Sequence, residues 1–430
     1  MARQRTDLET LYRDIEQAGS IDVYVDSQLR ERGFLVERRA TDNMSQRQLA
    51  RYKKELKQEA VEKRKLKAEA WKAYKTRHMV FLGEGVFWND AIDYDKWDLE
   101  NAESRAAENE LPPLDKPQDL AQALNLTIPE LRRLTYHRDA AETIHYRRFT
   151  IPKRDGSERP IWAPLPRLMN AQRWLLRNIV ERLLIHSAAH GFLVGRSILT
   201  NATQHTDSRI LLKMDIKDFF PTVTYSRVKG IFRHAGYREQ IATLLALLST
   251  EAPREIVIDG GKTMYVSLGP RCLPQGAPTS PAPTNVICLR MDRRLAGLAK
   301  KFGWRYTRYA DDMTFSLPNS AKGESNLGQL MGLTKRIVAD EGFAVHPQKT
   351  RVSRRGCRQT VTGLVVNDRS GPRVTRKLRR RVRAAIHNMK QGKPLKNDET
   401  PATILGYVAF IAMTDRALAD KMLAEISQSL

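Results

Sequence analysis

Apolar residues recur with two different periods along this chain. Ile210, Leu212, Met214 and Ile216 fall at every second position, and Met313, Phe315 and Leu317 alternate with Thr314 and Ser316. A period of two predicts strands, the second of them half-buried. A further strand-like run begins at Trp304, so the segment predicts a hairpin with Asp311 and Asp312 at its tight turn. Elsewhere the period is helical. Glu55, Glu59 and Lys63 stand at four-residue steps in the Lys-, Glu-, Arg- and Ala-rich stretch Gln46 to His78, which predicts a helix with solvated faces. Leu378, Val382, Ala385 and Ile386 predict an amphipathic helix, and a second apolar helix is expected from about Ile404 to Met422. Between these regimes, Asn101 to Gln118 is polar and marked by Pro112, Pro113 and Pro117, the composition of a linker.

Composition narrows the class. The 430 residues are enough for two or three folding units, and a hydrophobic content of 41% excludes disorder throughout. Lys+Arg minus Asp+Glu is 73 − 49 = +24, an excess whose natural partner is a polyanion, either nucleic acid or an anionic membrane surface. The three cysteines, Cys272, Cys288 and Cys357, exclude a disulfide scaffold and lack zinc-site spacing. No stretch approaches the ~18 apolar residues of a membrane span, and the charged N-terminus leads into no apolar core. A soluble protein of a reducing cytoplasm, without membrane attachment, is the expectation.

The carboxylates carry the candidate chemistry. Adjacent aspartates on a regular strand point to opposite faces, whereas at a turn Asp311 and Asp312 can reach one ion. Asp215 lies on the face opposite Ile210, Leu212, Met214 and Ile216, free to enter a cleft. An ionised Asp among apolar neighbours is costly unless paired or bound to a cation. Together the three would supply the hard oxygen ligands that Mg²⁺ prefers, and two such ions, with Mn²⁺ as a substitute, would clamp an in-line phosphoryl displacement. Cation attraction should then hold all three ionised.

Asp215-Ile-Lys-Asp-Phe-Phe220-Pro, Leu273-Pro-Gln-Gly276-Ala-Pro-Thr-Ser-Pro281 and Tyr309-Ala-Asp-Asp312 occur in that order, and together they resemble the palm motifs of reverse transcriptases. Phe149 to Ile161, containing Lys153 and Arg159 across a Gly turn, resembles the fingers motif, where two cations grip a triphosphate. The resemblance implies an α+β, right-hand polymerase with fingers, a palm of antiparallel sheet on a ferredoxin-like core, and a helical thumb, preceded by a mainly helical extension. It implies that Asp215, Asp311 and Asp312 hold the metals, with the Ile216 carbonyl as a further ligand. Phe220 would be the steric gate against a 2′-hydroxyl. Gln275, Gly276 and Tyr309 would lie at template and nucleotide, and Lys349 would protonate the pyrophosphate leaving group. For Lys349 a solvated surface lysine is the competing reading.

Asn201-Ala-Thr-Gln-His205 and Val361-Thr362-Gly363 are similar to the NAxxH and VTG elements of bacterial retron reverse transcriptases. This branch of the resemblance implies that Asn201, His205, Val361, Thr362 and Gly363 serve RNA binding, as do Arg376, Arg379, Arg380, Arg381 and Arg383 of the basic thumb. It implies a cognate structured non-coding RNA as template and primer, dNTPs as substrates, and an RNA–DNA product. It also implies priming from an RNA 2′-hydroxyl, a short branched DNA (msDNA), and anti-phage defence with an associated toxin or effector. The expected division is 1–118 for a charged helical extension and linker, 119–367 for fingers and palm, and 368–430 for the thumb. Another bacterial defence or CRISPR-associated reverse transcriptase, or a non-catalytic RNA binder on the same fold, are the competing assignments.

Overall fold

The computed structural model describes residues 7–86, 101–152, 156, 158–321, 326–395 and 399–428. Lys153, expected at the triphosphate, lies outside the described residues. The chain begins with three helices, Leu8–Ala18, Ile21–Glu31 and Gln46–Tyr74. The third starts at Ser45, whose hydroxyl accepts from the Gln48 N–H while the Gln48 side chain accepts from the Ser45 N–H. Ala and long unbranched side chains then sustain it for 29 residues. It is not solvated all round: Leu66, Ala70 and Ala73 pack on Leu11, Ile15, Val25 and Leu29 to make a small separate core. Glu59 is also buried on this helix, and Arg38 grips it with both guanidinium nitrogens at 2.9 and 2.7 Å.

The segment expected as a linker is packed. Ala102–Glu108 forms a helix, and Leu111 and Leu114 are buried in the large central core together with Met79 and Leu82. The prolines order this stretch. Pro117 opens the helix Pro117–Ala123, a position that needs no N–H, and the Asp119 carboxylate accepts from the Asp115 and Lys116 N–H groups.

The described strands are β1 (Ala140–Ala141), β2 (Tyr146–Pro152), β3 (Glu158–Pro164), β4 (Ser208–Asp215), β5 (Arg254–Asp259), β6 (Lys262–Ser267), β7 (Arg305–Tyr309), β8 (Asp312–Pro318), β9 (Arg351–Arg354), β10 (Thr360–Val361) and β11 (Leu364–Val365). β2 and β3 form the fingers hairpin. The palm sheet has the order β7-β8-β4-β9, with every pairing antiparallel. Ile210, Leu212, Met214, Met313, Phe315 and Leu317 face the central core. The opposite face is covered as well, so β8 is buried on both sides rather than half-buried: Thr314 and Ser316 are enclosed, and Leu211 packs with Ala202 of the helix Ile198–Thr203.

The C-terminal unit contains the amphipathic helix Arg376–Lys390, whose Val382, Ala385 and Ile386 are buried as the periodicity predicts. The single helix expected from Ile404 to Met422 is two, Pro401–Ala412 and Arg416–Ser427. The first ends at Ala412 with Met413 as its cap, and Asp415 caps the second, its carboxylate accepting from the Leu418 N–H. Apolar residues on both sides of Asp415 hide this break from a periodicity argument. Among the described residues no helix is long and apolar enough to cross a membrane.

Candidate active site

β7 and β8 are joined by Ala310 and Asp311, with Ala310 in the left-handed region at φ 55°. That turn leaves Asp312 as the first residue of β8, directly opposite Asp215, the last residue of β4. The Ile216 N–H donates to the Asp311 carbonyl at 2.9 Å, fastening the turn to the end of β4. Three carboxylates separated by almost a hundred residues are thus gathered at one end of two adjacent strands.

Their environment is electrostatically loaded. Burial raises the Asp311 carboxyl above its ordinary pKa, and the nearby Asp215 charge pushes the same way. Burial also raises Asp312, opposed by the ammonium of Lys213 and reinforced by Asp215. Two lysines balance the cluster: Lys213 Nζ lies 2.7 Å from Asp312 Oδ2, and Lys349 Nζ lies 2.9 Å from Asp215 Oδ1. Among the described residues no three His, Cys, Asp or Glu side chains are already closed around an ion-sized point. The donor set nevertheless fits hard divalent cations: carboxylate oxygens only, gathered at one end of the two strands, with two of the three paired to lysine ammonium groups.

The remaining expected positions divide into two groups. Phe219 is buried core, whereas Phe220 is only partly buried. The Phe220 ring lies 6.4 Å from that of Phe192, which in turn lies 6.4 Å from Tyr309, so three aromatic rings border the carboxylates. Gly276, at φ 114°, presses on β3: a Cβ there would sit 2.6 Å from the Ile161 methyl carbon Cγ2. The adjacent Gln275 carbonyl accepts from the Trp162 N–H at 2.7 Å, so this loop links fingers to palm. Arg159 is exposed on β3. Lys349 ends the short turn Pro347–Lys349, and its contact with Asp215 sets it apart from a free surface lysine.

The second group, the positions expected at RNA, is part buried and part exposed. Asn201 and His205 are fully enclosed. The Thr307 hydroxyl donates to Asn201 Oδ1, and the two His205 ring nitrogens lie 2.7 Å from the Thr307 and Ser316 hydroxyls. These residues fasten the helix Ile198–Thr203 to the palm sheet and do not reach solvent. Val361 is core, and the Thr362 hydroxyl donates to the Ile198 carbonyl at 3.0 Å, while Gly363 is exposed at φ 89°. Of the thumb arginines, Arg376, Arg380 and Arg383 are exposed and Arg379 half-buried. Arg381 turns back onto its own unit, pairing with Glu399 and lying 5.3 Å from the Tyr407 ring.

Sequence reasoning passed over Lys213, Phe192, Arg308 and Asp292. Lys213 was legible, because the period of two puts it on the face of Asp215. Phe192 carries a bulky ring at φ 63°, a conformation that only the folded chain reveals. Arg308 and Asp292 are opposite charges on the inward faces of β7 and the helix Leu289–Lys301.

Residues 151–408 match the profile of the family described as reverse transcriptase (RNA-dependent DNA polymerase). The chain is 48% identical over 424 residues to the Retron Mx162 reverse transcriptase of Myxococcus xanthus, across 96% of this chain and 87% of the relative. It is 41% identical over 325 residues to the Retron Mx65 reverse transcriptase of the same organism, across 76% and 74%. It is 31% identical over 320 residues to the Retron Ec86 reverse transcriptase of Escherichia coli, across 74% and 90%. With its carboxylates gathered at the end of an antiparallel palm sheet, the chain belongs to the reverse transcriptase family and is an RNA-directed DNA polymerase of the retron type.

Proposed function

We propose that this polymerase binds a cognate structured non-coding RNA, primes from one of its 2′-hydroxyls and copies the adjacent template into a short DNA that stays branched to the RNA. The observation that carries this reading is the cross-strand pairing of Asp215 with Asp312, with Asp311 at the intervening turn. Asp215, Asp311, Asp312 and the Ile216 carbonyl would hold two Mg²⁺ ions, or Mn²⁺ in their place. Bound there, the ions would supply positive charge that favours ionisation of the attacking hydroxyl and offsets charge on the leaving pyrophosphate.

The protein's own groups do the rest. The hydroxyl gives up its proton to solvent and its oxygen bonds to the α-phosphorus as the bond to the bridging oxygen of pyrophosphate breaks. Lys349, adjacent to Asp215, donates the proton that the leaving group takes up. Phe220 lies beneath the incoming sugar and excludes a 2′-hydroxyl, with Tyr309 and Phe192 closing the aromatic side of the pocket. Lys153, together with Arg159 on β3, holds the triphosphate, and Gln275 and Gly276 carry the templating strand.

The thumb supplies RNA affinity through Arg376, Arg379, Arg380 and Arg383. An A-form stem offers phosphates, 2′-hydroxyls and shape rather than a readable major groove, which suits a basic helix face. Residues 368–430 act as this thumb, and the separately packed N-terminal helices are an accessory unit. The RNA–DNA product would serve phage defence together with an associated effector protein, as the likeness to retron reverse transcriptases implies.

Incubating the protein with the RNA encoded beside its gene, dNTPs and Mg²⁺ should yield short RNase-resistant DNA still joined to RNA, and none with Asp311→Ala. Untemplated or protein-linked DNA as the only product would overturn the retron assignment. Absence of any primer extension would overturn the polymerase.

A further inference from the structure

Away from the carboxylates, a cavity of about 580 Å³ opens at the base of the fingers hairpin, between the helix Ile128–Thr135, β1 and the β5–β6 hairpin. Arg132, Arg133 and Arg138 line it. Among the described residues none of these three guanidiniums has a carboxylate partner. The two acids in the wall are already engaged: buried Glu251 pairs with Arg254 and Arg271, and Glu142 lies 3.5 Å from Lys262. Arginines in a last helical turn complement the helix dipole, which accounts for Arg132 or Arg133. It does not account for Arg138, beyond the helix, facing the same hollow. Three uncompensated cations around one concavity repel one another unless an anion joins them.

The walls define the shape of that anion. Arg138 sits 5.0 Å from the centroid of the Tyr136 ring, and Ile144 and Met264 add apolar surface. A hollow with guanidiniums, an aromatic ring and two apolar side chains matches a nucleotide, and its volume lies in the range of small-ligand sites. Unpaired RNA bases are recognised by this combination of stacking and phosphate contact.

We propose that the cavity seats one unpaired nucleotide of the bound RNA, its phosphates on Arg132, Arg133 and Arg138 and its base against Tyr136. This rests on the RNA-binding reading above but concerns a site outside the polymerase centre. Its position at the root of the β2–β3 hairpin lets it anchor single-stranded RNA without touching the reacting atoms.

The test uses the full chain and a fluorescent single-stranded oligouridylate. Anisotropy titrations across a salt series compare wild type with the double variant Arg132→Ala/Arg133→Ala and with Arg132→Lys/Arg133→Lys. The alanine pair should weaken binding about tenfold and make the salt slope shallower by roughly 1.4, about 0.7 for each lost single-strand contact. The lysine pair should keep the slope, which separates charge loss from misfolding. A 4-thiouridine probe should cross-link to the peptide carrying Tyr136, and Tyr136→Ala should remove that adduct. Unchanged affinity and slope in a folded alanine variant overturn the proposal. So does protection of the cavity by free ATP with no effect of the substitutions on RNA, which would assign it to a free nucleotide. Wild-type protein that binds the oligonucleotide but extends no primer sinks the polymerase reading instead and leaves the cavity standing.

Discussion

Arg308 and Asp292 form a fully buried, bidentate ion pair directly beneath the turn that carries Asp311 and Asp312. The two guanidinium–carboxylate hydrogen bonds measure 2.9 and 2.7 Å, and both side chains have no exposed surface. The third guanidinium nitrogen donates to the Ala310 carbonyl at 3.0 Å, and the Tyr306 hydroxyl donates to Asp292 Oδ1 at 2.7 Å. Burial opposes the charge on Arg308, but Asp292 overrides it and holds the guanidinium pKa above its usual value. On the other side, Gly191 lies so close that a Cβ there would stand 2.6 Å from the Ala310 nitrogen. The left-handed Ala310 is therefore clamped from both sides.

Breaking this pair should be costly. Asp292→Ala leaves an uncompensated buried cation and should lower stability by about 3–5 kcal/mol. Replacing both residues, Asp292→Leu with Arg308→Met, should restore most of the melting temperature. Primer-extension kcat should stay depressed, because the Ala310 carbonyl still lacks its donor. A double variant with wild-type kcat would show that the pair merely fills the core.

Asp215→Asn, Asp311→Asn and Asp312→Asn should each abolish primer extension while leaving RNA affinity within about twofold, since backbone and volume are kept and only an anionic ligand is lost. Chelating divalent cations should reproduce the loss in wild type. Filter binding run beside extension decides it: equal loss of both would make the carboxylates structural.

His205 predicts an acid-sensitive fold. Burial, reinforced by the charge of Arg305, lowers its pKa to about 3, so the folded ring stays neutral. The Thr307 hydroxyl is committed to Asn201 Oδ1, which makes His205 Nε2 the donor to Thr307 and Nδ1 the acceptor from Ser316. The stabilisation is complete above the unfolded pKa near 6.5 and shrinks as pH falls toward about 3, by roughly 1.4 kcal/mol per unit, because only the unfolded chain takes up the proton. His205→Gln should melt lower than wild type at pH 7.5 but lose less between pH 7.5 and 5. Parallel losses in the two proteins would refute the assignment.

Gly276→Ala should damage both folding and template use. The substitution meets a positive φ and a clash with Ile161 at once. A destabilisation above about 1 kcal/mol is expected, with a raised KM for primer–template. Trimming Ile161 to Ala removes the contact with its methyl carbon but neither the backbone strain nor the approach to the Trp162 carbonyl, 3.0 Å from a Cβ, so rescue should be partial.

Phe220→Val should admit ribonucleotides, shifting the dNTP-to-rNTP ratio of kcat/KM by at least tenfold. The ring is only partly buried, packed on the outside of the core that holds its neighbour Phe219, so the fold should tolerate a smaller apolar side chain. Unaltered sugar selectivity would remove Phe220 from the gate.

Much of the site was legible because strand period and turn chemistry are local. The alternation around Asp215 and the strand–turn–strand pattern around Asp311 and Asp312 needed no knowledge of distant residues. The family resemblance, not a local period, put Asn201 and His205 at RNA, whereas their side chains serve as internal partners of Thr307 and Ser316. Local composition misjudged Asn101 to Gln118, because prolines spell a linker until another surface is there to receive Leu111 and Leu114.

The chain's own order of residues determined the antiparallel hairpin, the three acidic positions, the basic helix with its apolar stripe and the polyanion-seeking charge. Each is a property of spacing or sum, carried by neighbours a few residues apart. Tertiary structure alone decided which faces are covered, that Arg308 meets Asp292, that Arg381 folds back on Glu399 and that Arg132, Arg133 and Arg138 surround one hollow. Those outcomes turn on which remote segment displaces water from a given side chain, and no local period encodes that.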